Sequence, residues 1–177
     1  MMKLILVTGG VRSGKSRRAQ DEARARGGDE VTVIATAEAV DDEMRERIEA
    51  HRRSRPAGWQ TIEAPEGAGG AILAAPTETV VLDCVTVLTG MAIGRSGAGS
   101  EAAALDAMAV EVDGILKARE MRAGVLIVVT NEVGWSVHPP TAVGRWYQDG
   151  LGIANQRLAA AADQVILMVS GLEVRLK

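Results

Sequence analysis

The sequence predicts an α/β fold: a mainly parallel sheet wrapped by helices and closed by a C-terminal antiparallel hairpin. Three observations predict it. Apolar runs of strand length, continuous rather than alternating, recur between helix-forming stretches, as in parallel strands covered on both faces. The first run, Leu4-Ile5-Leu6-Val7, passes through a Gly-rich loop straight into a helix-forming stretch. The last apolar run and the alternating Leu172-Glu173-Val174-Arg175-Leu176 are separated only by Ser170-Gly171, a tight turn. A chain of 177 residues is expected to form one domain, spanning 1–177. A domain of that size buries roughly 70% of its unfolded surface, enough for a self-sufficient core.

Taken in order, residues 3–8 make the first strand. The loop after it is Gly9-Gly10-Val11-Arg12-Ser13-Gly14-Lys15-Ser16, a G-x-x-x-x-G-K-S pattern. Glycines let such a loop curl so that successive backbone N–H groups bind phosphate oxygens. The helix that follows adds about half a positive charge at its N-terminus. Lys15 can reach the β- and γ-phosphates, and the Ser16 hydroxyl can hold Mg²⁺. In this strand–loop–helix context the pattern is a P-loop, and the chain is expected to bind a nucleoside triphosphate. Arg12 either adds to the phosphate charge or is a solvated loop arginine. The helix runs over 15–26 and stops at Gly27-Gly28. The second strand, 31–36, ends at Ala35 and Thr36, and parallel sheets bind ligands at such carboxyl ends.

Asp41-Asp42-Glu43 opens a helix that runs to about Arg53, with acids suited to its N-terminus. Met44, Arg47, Ile48 and His51 share one face, while Ala50 points about 100° away. That face is either a cover over a site or a solvated stripe with a chance histidine. Pro56-Ala57-Gly58 breaks the helix, 59–63 reads as a short strand, and 68–75 as a small-residue helix. Thr79-Val80-Val81-Leu82-Asp83 is a strand of β-formers ending in an acid, the shape of a Walker B element. Asp83 then holds Mg²⁺ directly or through water, or merely caps the next turn. Residues 94–99 are expected to be a mobile loop, and 102–123 a long helix. Residues 125–130, the most apolar strand, are expected at the centre of the sheet and end at Asn131-Glu132-Val133-Gly134-Trp135. Pro139-Pro140 marks a bend, 141–162 a helix, and 164–169 a strand whose hairpin partner lies antiparallel at the sheet edge.

Composition narrows the function classes. Net charge is −3, from 20 basic and 23 acidic residues, and nothing in that balance suggests a nucleic-acid partner, although basic residues cluster over 45–55. One cysteine, Cys84, excludes an internal disulfide and a Cys-rich metal site and fits a reducing compartment. No stretch approaches the ~20 apolar residues of a membrane span, and the N-terminal run is too short for a signal peptide. A cytoplasmic protein is expected.

Three stretches, in this order and at this length, carry a family resemblance: G-G-x-R-S-G-K-S at Gly9 to Ser16, T-N-E-V-G at Thr130 to Gly134, and N-Q-R-L-A-A-A-A-D from Asn155. With Ile34-Ala35-Thr36, Asp42-Glu43-Met44, Arg47-Ile48, Arg55-Pro56 and Trp59, they resemble the bifunctional adenosylcobinamide kinases / adenosylcobinamide-phosphate guanylyltransferases of cobalamin biosynthesis. The resemblance implies a RecA-like, three-layer P-loop NTPase fold and a homotrimer. It implies two reactions. The γ-phosphoryl of ATP or GTP goes to the aminopropanol hydroxyl of adenosylcobinamide, and GMP from GTP is then coupled to that phosphate through a guanylylated histidine, giving adenosylcobinamide-GDP. Carried over residue by residue, it puts nucleotide contacts at Gly9 to Ser16, at Ile34, Ala35 and Thr36, at His51, Arg52, Arg53 and Ser54, and at Glu63 and Asp83. Lys15 and His51 are the expected catalytic residues, and the P-loop and Walker B readings put Mg²⁺ on Ser16 and Asp83.

One departure falls on the chemistry. The family pattern has two adjacent histidines on the helix after D-D-E-M, the first of them the guanylylated one; here that first position is Ala50 and only His51 remains. Either His51 is the nucleophile, which unprotonated imidazole can be, or the guanylyltransferase half is lost and a P-loop small-molecule kinase is left. A GTPase-type switch fits poorly, since Asn131-Glu132-Val133-Gly134 lacks the Lys and Asp of N-K-x-D. Glu132 is the nearest candidate for a base on the acceptor hydroxyl, and His138, beside Pro139, reads as a loop histidine.

Overall fold

The computed structural model of the chain describes residues 1–97 and 99–177, without the side chain of Arg47. The elements in order are β1 (Lys3–Gly9), α1 (Lys15–Gly27), β2 (Val31–Ala35), α2 (Asp42–Arg53), β3 (Gln60–Glu63), α3 (Ala68–Ala74) and β4 (Thr79–Asp83). They continue with α4 (Val85–Arg95), α5 (Glu101–Met121), β5 (Val125–Val129), α6 (Ala142–Ala161), β6 (Gln164–Val169) and β7 (Leu172–Arg175). The strands form one sheet in the order β3-β2-β4-β5-β1-β6-β7. All neighbours pair parallel except β6 and β7. The most apolar strand, β5, is central, and the hairpin is at the edge, as its sequence requires.

Pleating divides β1 between two cores. Leu4 and Leu6 face a cluster with Leu82, Val85, Met108, Ile115 and Leu151, which is the α3–α6 side of the sheet. Ile5 and Val7 face a second cluster with Ala19, Ala23, Val33 and Trp59, the α1 side. Helices on both faces explain why these strands read as unbroken apolar runs. On the first side α3 and α5 cross at backbone contact: a Cβ on Gly69 would stand 2.3 Å from the Gly114 carbonyl oxygen, so only glycine fits.

Three elements differ from the sequence expectation. Gly94 and Arg95, expected in a loop, are the last residues of α4, and Arg95 donates to the Pro65 carbonyl and to Glu38. Two glycines and a run of Val and Thr lower the intrinsic helicity of α4. Burial of Val85, Leu88 and Ile93 holds it instead. Within the expected loop, Ala98 lies outside the described residues. Helix α5 stops at Met121 because Arg122 turns extended and donates to the carbonyls of Ile72 and Thr77. In β7, the edge strand, the alternation buries neither face: all four residues are exposed. No helix of the described residues is long and apolar enough to cross a membrane.

Candidate active site

The P-loop is shaped by its glycines. Gly9 has φ +147°, and a Cβ there would stand 2.3 Å from the Met168 carbonyl oxygen; Gly14 has φ +99°. Gly14 caps α1 without a side-chain acceptor. The first-turn N–H groups are therefore left for an anion, with the helix dipole behind them. Lys15 is 7% exposed, and its Nζ donates to the Gly10 carbonyl at 2.6 Å. Burial lowers its pKa; the charge of Asp83 pulls the other way. The buried Ser13 hydroxyl has no hydrogen-bond partner among the described residues.

Parallel pairing sets the tip of β4 beside the tips of β2 and β5, with Asp83 opposite both Ala35 and Val129. The turn after Asp83 is pinned: the Thr36 hydroxyl accepts from the Cys84 N–H and donates to the Cys84 carbonyl, both at 2.8 Å. Asp83 Oδ2 stands 3.8 Å from Arg55 Nη2 and 3.9 Å from His51 Nδ1. Arg55 also donates to the Thr61 hydroxyl at 3.1 Å, and burial lowers its guanidinium pKa. Burial is also the main cause that pushes the Cys84 thiol up to about 11, with Asp83 second.

Helix α2 is capped by Asp41, which accepts from the Met44 N–H at 2.7 Å. Its Met44, Ile48 and His51 face a cavity of about 290 Å³ whose floor is Lys15, Ser16 and Asp83. The inward face expected from helical spacing is therefore present, apart from Arg47, which lies outside the described side chains. A second cavity, of about 560 Å³, runs over the P-loop from Val11 to Arg17 and is closed by Ala50, His51 and Asn131. His51 borders both. Ala50 is off the first cavity, as its position on the helix requires, yet faces the phosphate loop.

The expected contact residues divide. Ser16, Ala35, Arg52, Glu63 and Asp83 line the first cavity, with Arg52 donating to Glu63 at 2.8 Å. Ile34 does not: its side chain is fully buried in the α3–α6 core, because the pleat sends it away from the site. The Thr36 side chain is also fully buried, and its hydroxyl is spent on Cys84. Arg53 pairs with Glu49 on the outer face of α2, and the Ser54 hydroxyl donates to the His51 carbonyl; neither lines the cavity. Glu132 lines neither cavity; its carboxylate accepts from the Gly134 N–H. His138 is an exposed loop residue. Arg55, Thr61, Thr86 and Asn131 line the first cavity but were not expected as contacts. Asn131 opens the stretch at the end of β5, where the strand-end rule expects a site.

The donors suit a hard divalent cation sparingly. The Ser16 hydroxyl and the Asp83 carboxylate share the cavity, and the described residues hold no cluster of three or more His, Cys, Asp and Glu. One or two protein oxygens completed by phosphates and water is how Mg²⁺ is bound at nucleotide sites.

Residues 5–176 match the protein family described as cobinamide kinase / cobinamide phosphate guanyltransferase. The bifunctional adenosylcobalamin biosynthesis protein CobU of Escherichia coli K12 is 39% identical over 182 residues, covering 98% of this chain and 99% of its own. The bifunctional adenosylcobalamin biosynthesis protein CobP of Pseudomonas aeruginosa is 38% identical over 176 residues, covering 97% and 96%. Among solved structures, an ATPase of a bacterial type III secretion system superposes with a TM-score of 0.59 at 10% identity, over 98% of this chain and 57% of that one. That likeness concerns the fold alone.

Proposed function

The chain belongs to the cobinamide kinase / cobinamide phosphate guanyltransferase family, and from that premise we propose that it carries out both reactions on one site. In the first, the γ-phosphoryl of ATP or GTP passes to the aminopropanol hydroxyl of adenosylcobinamide. In the second, GMP from GTP is joined to the new phosphate, giving adenosylcobinamide-GDP. The observation that carries this reading is the position of His51, which borders the P-loop cavity and the α2 cavity at once.

For the kinase step, the P-loop amides and Lys15 take up phosphoryl charge, and catalysis is positioning and neutralisation. Ser16 and Asp83 would hold Mg²⁺, which supplies further neutralisation of the phosphate oxygens. For the transferase step, an imidazole nitrogen of His51 bonds to the α-phosphorus of GTP and pyrophosphate leaves. A phosphate oxygen of the cobinamide phosphate then attacks the same phosphorus, and His51 is released. With alanine at position 50, His51 is the histidine on this helix that can do so. Asp83, 3.9 Å from His51 Nδ1, sets a negative charge beside the ring. Arg52 and Arg55, from α2 and the segment after it, offer charge for the departing pyrophosphate. We place the protein in the cytoplasm, as a homotrimer with small-molecule rather than nucleic-acid substrates; sedimentation at three times the mass of one chain checks the assembly.

The deciding experiment mixes Mg²⁺ and α-labelled GTP with wild type and His51→Ala, followed by denaturing electrophoresis. Acid-labile, base-stable label on wild type that vanishes in the variant is expected. An unlabelled wild type that still phosphorylates adenosylcobinamide from γ-labelled donor would reduce the chain to a kinase.

A further inference from the structure

Two sequence stretches have no part in the scheme above: Thr130-Asn131-Glu132 after β5, and Asn155 on α6. The sheet order brings them to the site. β5 lies between β1 and β4, so its carboxyl end sits between the P-loop and Asp83. Asn131 accordingly borders both cavities, the one floored by Lys15 and Asp83 and the one over the P-loop. Its main chain is clamped from both sides. The Asn131 N–H donates to the Thr86 hydroxyl at 2.7 Å, and its carbonyl accepts from Asn155 Nδ2 at 2.9 Å. The Thr130 hydroxyl donates to Asn155 Oδ1 at 2.7 Å, which fixes the Asn155 amide with its NH₂ toward Asn131. Thr130 itself is fully buried. By contrast, the side-chain carboxamide of Asn131 has no hydrogen-bond partner among the described residues and is half-buried at the junction of the cavities.

A clamped main chain carrying an unspent amide is preorganised for a ligand. The P-loop amides and the α1 N-terminus account for the inner phosphates, and Lys15 for the β- and γ-phosphates. The cavity between Lys15 and Asp83 is where the outer phosphate, the one that moves, would lie in a nucleotide held by the P-loop. We propose that Asn131 is a catalytic residue whose carboxamide NH₂ donates to a γ-phosphoryl oxygen of the bound nucleoside triphosphate. Asn155 is the positioning residue that holds it there through the Asn131 carbonyl. The inference rests on the phosphoryl-transfer reading above and specifies which phosphate the β5 tip contacts.

The test uses the full chain with Mg²⁺ and compares calorimetric Kd values for ADP and for the β,γ-imido analogue of ATP. Asn131→Ala should leave the ADP Kd within about 2-fold and weaken the imido analogue about 10-fold, the worth of one hydrogen bond to a charged group. Asn131→Asp should weaken the analogue more, because its carboxylate meets the phosphate charge. Asn155→Asp, which keeps the acceptor for Thr130 but cannot donate to Asn131, should reproduce the selective loss. A variant that merely loosens the fold would weaken both ligands together. Thermal melting identifies such a variant, and the half-buried Asn131 substitutions keep the question decidable if Asn155→Asp unfolds. Equal loss of ADP and analogue with an intact fold, or no loss of the analogue, overturns the inference and leaves the kinase reading standing. A wild type that binds neither nucleotide overturns both. No cobinamide acceptor is used, so an error in the acceptor's identity leaves the ratio unmoved.

Discussion

Cys84 sits directly after Asp83, inside the first cavity, and both its surroundings and its neighbour disfavour the thiolate. With the thiol pushed up to about 11, little thiolate is present at neutral pH. The alkylation rate of this single cysteine by iodoacetamide, followed by mass spectrometry, should rise about tenfold per pH unit from pH 7 and level off near 11. Asp83→Asn removes the negative neighbour, so the midpoint should move down; an unchanged midpoint would mean that burial alone sets it. Thr36 belongs to the same turn. Thr36→Val deletes both hydrogen bonds from Thr36 to Cys84 and leaves the Cys84 N–H unmet, while the Cys84 carbonyl keeps the Leu88 N–H, so a loss of about 2 kcal/mol in denaturant unfolding is expected, and Thr36→Ser should restore most of it. Here sequence reading had reached the segment at the site but not the direction of its side chains. Strand-end logic put Ala35 and Thr36 beside the phosphates and the family resemblance added Ile34, but the pleat gives the cavity only Ala35, packs Ile34 in the core and sends the Thr36 hydroxyl to a backbone. Arg55, Thr61 and Thr86 were missed as contacts for a related reason: they converge from the segment after α2, from β3 and from α4, and no local pattern encodes that convergence.

Between elements, Asp163 is a latch. Its carboxylate accepts from the Leu4 N–H on β1 at 2.8 Å and from Arg119 Nη2 on α5 at 3.0 Å, while Arg119 Nε reaches the Met2 carbonyl. The Leu4 hydrogen bond, then Arg119, hold the Asp163 carboxyl below its ordinary range. A depressed folded pKa contributes stability that is present above the unfolded value, about 3.9, and is lost as pH falls through the folded one. Asp163→Asn should therefore cost about 1 kcal/mol in urea unfolding at pH 7, a modest figure because the side chain is partly solvated. The gap between wild type and variant should close below about pH 4. A gap that persists in acid would assign the effect to packing. The contrast with α4 shows which elements a sequence discloses. Strands β1, β4, β5 and β6 announce themselves through unbroken apolar runs, α2 through the acids at its N-terminus, and α6 through the Pro139-Pro140 bend before it. Helix α4 has Gly90 and Gly94 in a Val- and Thr-rich stretch, so its helicity comes from tertiary burial rather than from anything local.

Across the whole molecule, one order of strands explains why the site lies where it does. β1, β5 and β4 are adjacent and parallel, so the P-loop, Asn131 and Asp83 meet at their carboxyl ends, and α2 closes over them. The central place of β5 and the edge place of β7 followed from apolarity and from the two-residue turn; the remaining order could not, because crossover connections leave no mark on residue spacing. The cavity is lined by Lys15 and Ser16 of the P-loop, by residues at the ends of β2 and β4 and by the inner face of α2, so a nucleotide held there would bind the folded chain and not the unfolded one. Linkage then sets the size of the effect: at 100 times Kd a ligand adds about 2.7 kcal/mol to stability. For a domain of 177 residues, each kcal/mol raises Tm by roughly 2–4 °C. ATP with Mg²⁺ at that saturation should thus raise Tm by about 5–10 °C in a thermal-shift scan. Lys15→Ala, which removes the buried ammonium from the phosphate site, should abolish most of the shift while leaving the ligand-free Tm nearly unchanged, because the Lys15 hydrogen bond to Gly10 is local to the loop. Protein concentration must be held constant throughout, since a chain that assembles also gains apparent stability from its own copies. A Lys15→Ala protein that keeps the full shift would place the nucleotide elsewhere on the molecule and remove the basis for both proposed reactions.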